Sequence, residues 1–146
     1  MNALPLATAE RIADVCLQTA REQGMQPLTV AVLDAGGHLV VLKRDDGSSL
    51  LRPEIATGKA WGALGMGFGG RELARRAEKM PGFFAALNAV SHGRMVPVPG
   101  GALIRNVAGA IVGAIGASGD TSDRDEVCIV AGVQAAQLIA DTGDAA

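Results

Sequence analysis

Ala9, Ile12, Ala13, Cys16, Leu17 and Ala20 recur with the 3.6-residue period of an amphipathic helix, which predicts a helix over residues 6–23. Thr8 is placed to cap its start, and Gly24 to end it in a left-handed turn. The pattern then changes. Residues 28–33 and 38–43 are short β-branched apolar runs on either side of Asp34-Ala35-Gly36-Gly37, the signature of a β-hairpin. Asp45-Asp46-Gly47 closes the second run. Ser48 or Ser49 then caps a helix reaching about residue 64, with Pro53 in its first turn, where the missing N–H is tolerated.

Glycines at 65, 67, 69 and 70 break the pattern, and residues 71–79 form a short charged helix. Pro81-Gly82 breaks it again before an apolar helical turn over 83–90. Short strands are expected at 95–98 and 103–105, a buried central strand at 110–117 and a final helix over 122–140. The strands come in adjacent groups and do not alternate with helices. This predicts an α+β fold, a mainly antiparallel five-stranded sheet flanked by helices, in one domain over 1–146.

Composition narrows the function. The net charge of -2, from 13 basic and 15 acidic residues, leaves no basic stripe for nucleic acid. Arg71, Arg75, Arg76 and Lys79 are interleaved with Glu72 and Glu78 and read as a solvated helix face. One Trp, three Phe and no Tyr argue against a base-stacking platform. Charged residues are only 19% of the chain, below the usual quarter or so, which points to surface hidden against further copies, a homo-oligomer. Cys16 and Cys128 read as buried free thiols. Neither a membrane span nor an export signal is evident, so the expected location is cytoplasmic.

Several motifs could carry chemistry. Gly65, Gly67 and Gly70 match a dinucleotide loop by letter, but they follow a helix where that loop needs a strand, so a hinge between helices is the better reading. Ser122 and Asp125 have capping-box spacing, and Asp120, Asp123, Asp125 and Glu126 crowd the positive end of a helix. Asp125 either caps or lines a pocket. Pro97 to Gly101 forces a corner in which Gly100 and Gly101 can bare their amides to an anion, or merely turn the chain. Arg52, Glu54 and Lys59 share the second helix. Arg52 and Lys59, seven apart, lie on one face, and Lys59 either snorkels to water or anchors a ligand carboxylate. His38 and His92 are the only histidines. Each is a candidate iron ligand or proton shuttle, and His92, beside the Pro-Gly-Gly corner, is the better placed.

The segments Val32 to Leu39, Arg44 to Gly47, Ile55 to Ala60, Pro99 to Gly101 and Gly113 to Gly119, together with Asp125, resemble the GlcG/HbpS-like family, which includes the C-terminal domain of the PduO proteins. The resemblance covers nearly the whole chain. It implies a profilin-like antiparallel sheet flanked by helices and assembly into dimers that build rings or octamers. It also implies possible haem binding, with haem degradation in some members. Other relatives resemble small lyases of aromatic catabolism or accessory proteins of catabolic operons.

Three functions follow as expectations. In a haem- or tetrapyrrole-binding protein, His38 or His92 ligates iron, while Arg52, Lys59 or Arg94 meets the propionates. In a cofactor-free enzyme on an aromatic or organic acid, Lys59 or Arg52 holds the carboxylate, His92 acts as acid or base, and Gly100 and Gly101 donate to an oxyanion. In an accessory protein, the glycines serve packing alone. Glu54 and Asp125 complete the expected ligand-binding set.

Overall fold

The computed structural model describes residues 4–144. Its elements are α1 (Leu6–Glu22), β1 (Thr29–Asp34), β2 (Leu39–Arg44), α2 (Arg52–Met66), α3 (Gly70–Lys79), α4 (Pro81–Val90), β3 (Gly101–Arg105), β4 (Ile111–Ser118), α5 (Ser122–Ala135) and β5 (Ile139–Asp141). The strands form one sheet in the order β2-β1-β4-β3-β5, with every neighbouring pair antiparallel. The fold is α+β, as the grouping of strands predicts.

The central strands β1 and β4 are apolar almost throughout because both their faces are covered. Alternation along β1 sends Val30 and Val32 to α1 and α5, where Ile12, Cys16, Cys128 and Ile129 complete the larger core. Leu33 turns the other way and packs with Ala60 and Ala114 beneath α2. Small residues let α2 lie close to the sheet: a Cβ on Gly116 would run into the Ala56 carbonyl.

Four local expectations are corrected. Residues 95–98 are not a strand: Val96 N–H donates to the Gly58 carbonyl, so the segment crosses α2, and Pro97 and Pro99 have no N–H for a ladder. The final helix stops at Ala135, and Gln137, at φ 60, turns the chain into β5, the edge strand beside β3. The second helix begins at Arg52 after Leu51, with no side-chain cap from Ser48 or Ser49. In α1 the cap position is Pro5 and Thr8 lies inside the helix, while Gly24, at φ 63, does follow its end. Among the described residues, no helix is long and apolar enough to cross a membrane.

Candidate functional site

The sequence candidates other than His38 and His92 fall into two groups. The first is buried. Lys59 Nζ donates to the Ala117 carbonyl at 2.9 Å and lies 3.3 Å from Asp125 Oδ2. The other carboxylate oxygen accepts the Asp120 N–H at 3.0 Å. Thr121, not Ser122, holds the cap position of α5, so Asp125 lies inside the first turn and faces inward. Burial pushes the Lys59 ammonium below its ordinary value and the Asp125 carboxyl above its own, and each partner's charge pulls the other back.

Gly100 and Gly101 wall this pair. A Cβ on Gly100 would stand 2.8 Å from Lys59 Nζ, and one on Gly101 would stand 2.6 Å from the Lys59 carbonyl oxygen. Arg52 lies toward the same end of β4, with Nη1 3.0 Å from Ser118 Oγ and Nε 3.2 Å from Ser49 Oγ. Lys59, Arg52, Asp125, Gly100 and Gly101 are thus brought together.

The second group lines a groove of about 490 Å³ between the β1–β2 hairpin, α2 and the turn after α4. Leu33, Leu39, Leu42 and Pro53 give it apolar walls, with Trp61 among them and Thr57 and Glu54 as its oxygen-bearing side chains. The Arg94 guanidinium stacks on the Trp61 ring at 4.0 Å from the centroid, and its Nε donates to the Ser91 carbonyl at 3.1 Å. Glycines bare the backbone at opposite rims: Gly37, at φ 84, faces Trp61 Nε1, and Gly93, at φ 74, lies beside Arg94. The groove has the size and apolar lining of a small-molecule site, with few charges to orient what it holds. Lys59, Arg52, Asp125, Gly100 and Gly101 do not line it, whereas Glu54 and Arg94 do.

Neither histidine lines the groove, although each adjoins a residue that does. His38 sits on the hairpin turn with Nδ1 3.1 Å and 3.2 Å from the two Asp34 oxygens. Hydrogen bonds from the His38 and Gly36 backbone amides hold the Asp34 carboxyl below its ordinary value. Leu33 and Leu39 are partners across the hairpin and both face the groove, so alternation directs Asp34 and His38 to the other side. His92 is exposed at φ 55 in the turn just before Gly93.

Sequence reasoning missed Trp61 and the leucine wall. A signal existed: Glu54, Thr57, Gly58 and Trp61 follow i, i+3, i+4, i+7 spacing, one stripe of α2. Among the described residues no three His, Cys, Asp or Glu side chains converge as a metal cluster.

A family model described as haem degrading protein HbpS-like matches residues 4–134. An uncharacterized 15.0 kDa protein in the dhaT-dhaS intergenic region of Citrobacter freundii is 26% identical over 124 residues, 85% of each chain. The solved PduOC:heme complex is 25% identical, with a TM-score of 0.83 over 93% of this chain and 96% of that one. The HbpS structure is 28% identical, with a TM-score of 0.78 over 91% and 89%. The Klebsiella pneumoniae protein ORFY, 24% identical with a TM-score of 0.82 over 92% and 90%, shares the fold.

Proposed function

The chain belongs to the HbpS-like family, and from that premise we propose that it binds haem or a related tetrapyrrole in the groove between β2 and α2. The observation that carries this reading is the groove itself. An apolar groove walled by Leu33, Leu39, Leu42 and Trp61, with the Arg94 guanidinium on the indole, suits a macrocycle bearing carboxylates. Arg94 would meet a propionate, and Glu54 would turn the acidic edge away from itself. Bound iron would supply redox chemistry that no side chain of the groove offers. The similarity to a protein solved as a haem complex supports the assignment.

Titration with haemin tests it. A saturable Soret shift at defined stoichiometry, weakened in Arg94→Ala and Trp61→Ala, is the expected result. An unsaturable shift, equal in the variants, would overturn the reading. Haem degradation is the finer step, read as loss of the Soret band when reductant and oxygen are added.

A second reading, turnover of a smaller aromatic acid, is favoured by one observation: Arg94 and Thr57 line the same groove, and His92 precedes the lining residue Gly93 in the chain. There Arg94 takes the carboxylate-holding role expected of Lys59, whose ammonium is occupied by Asp125 and Ala117. The proposal includes self-association through α4, which has no charged residue and leaves Phe83 and Val90 51% and 75% exposed.

A further inference from the structure

Resting on that binding reading, we infer that the groove recognises the macrocycle and its carboxylates and not the metal, so that it takes metal-free dicarboxylate porphyrins as readily as haem. The groove's lining contributes no nitrogen or sulfur donor suited to haem iron: its polar side chains are Glu54, Thr57, the guanidinium of Arg94 and the indole N–H of Trp61. His38 is directed to the other side of the hairpin and is engaged by Asp34. His92 is held outside the lining in a left-handed turn. Cys16 and Cys128 lie across the sheet, in the core beneath α1 and α5.

What the groove does offer is indifferent to iron. The leucines, Pro53 and Trp61 present apolar area to a flat ring, and this attraction scales with area removed from water. Arg94 presents a planar, permanently charged fork at the edge of that surface, matched to a carboxylate. Both features are the same whether the macrocycle holds iron or two protons. The charges also set the direction of entry. The acidic edge goes to Arg94 and away from Glu54, which takes part in none of the ion pairs among the described residues.

Trp61 is the only tryptophan of the chain, so quenching of its emission reads occupancy without any metal-centred spectrum. The experiment compares haemin with protoporphyrin IX by this quenching in the wild-type protein, Arg94→Ala and the double variant His38→Ala/His92→Ala. The double variant also removes any histidine offered by a neighbouring copy. The two ligands are expected to bind with Kd values within about threefold of each other, and the histidine variant to differ from wild type by no more. Arg94→Ala is expected to weaken both by about tenfold or more, the loss of one charge-assisted pair. Haemin binding more than about tenfold tighter than protoporphyrin, and lost in the histidine variant, would overturn the inference while sustaining haem binding itself. Saturable quenching by neither ligand would overturn both.

Discussion

Lys59 on α2 and Asp125 on α5 meet through the end of β4 as a buried ion pair, Nζ to Oδ2 3.3 Å, with their side chains 3% and 1% exposed. The pair joins the helix that lines the groove to a helix on the opposite side of the sheet. Its remaining hydrogen bonds, to the Ala117 carbonyl and from the Asp120 amide, come from backbone and are fixed by the fold. Removing either partner strands the other charge in the interior. Lys59→Ala and Asp125→Ala are each expected to lose about 3 to 5 kcal/mol of stability, read by urea unfolding. A double replacement by apolar residues of similar volume should lose much less than the sum. Equal, additive losses would show that the pair does not act as a unit.

The same pair gives an unusual acid response. Asp34, Asp45, Glu72 and Asp120 are held below their ordinary values by hydrogen bonds, so the stability they contribute is present at neutral pH and lost as pH falls through their lowered values. Asp125 has the opposite sign. Its folded-state value is raised by burial, so the folded protein takes up that proton first, and its titration offsets part of the acid loss. Asp125→Asn removes the offset. The loss of stability with falling pH, measured from about pH 6 to pH 4, should be steeper in this variant. An unchanged slope would place Asp125 outside the titrating set.

Gly116 tests how closely α2 must approach. Its missing side chain faces the Ala56 carbonyl and the Ala60 amide, which belong to a helix that cannot shift without opening the smaller core. Gly116→Ala is expected to cost about 1 to 3 kcal/mol or more and to weaken ligand binding in parallel, because Glu54, Thr57 and Trp61 move with α2. Gly82→Ala, with nothing within 4 Å and a helical backbone, is the control and should lower neither.

Much of this arrangement was legible in the sequence. The hairpin, the buried β4 and the tight Gly100-Gly101 corner follow from period, turn chemistry and glycine placement, whereas the meeting of that corner with Lys59 and Asp125 does not. The function attached to that cluster was the less legible part. A lysine in a small-residue helix either reaches a pocket or is enclosed, and enclosure depends on Asp125, 66 positions away. β5 escaped for a similar reason: its three residues continue an apolar run from α5, and only pairing with β3 makes them a strand. Trp61 was passed over because composition speaks to aromatic number and not to placement. One indole at the right position of an α2 stripe is enough to build a binding wall.

Self-association is checked at α4. The helix packs on α3 and buries only Phe84 of its ten residues, an arrangement that leaves apolar area in water unless another chain covers it. Phe83→Glu places a charge on that surface at a residue that does not line the groove. Sedimentation velocity should show the wild-type protein as an assembly and the variant as a smaller species. A wild-type monomer, or an assembly unaffected by Phe83→Glu, would remove α4 from the interface.

The two charges of the groove predict opposite effects. Arg94 attracts an acidic ligand, whereas Glu54, exposed on the first turn of α2, repels it. Glu54→Gln keeps size and shape and removes the repulsion, so haemin and protoporphyrin should both bind more tightly, by about two- to fivefold for one partly screened charge. The gain should shrink as salt is raised, since screening already weakens the wild-type repulsion. If Glu54 instead ligated iron, Glu54→Gln would weaken haemin alone and leave protoporphyrin unchanged. The sign of this one substitution on the two ligands therefore separates a carboxylate that orients the macrocycle from one that holds its metal.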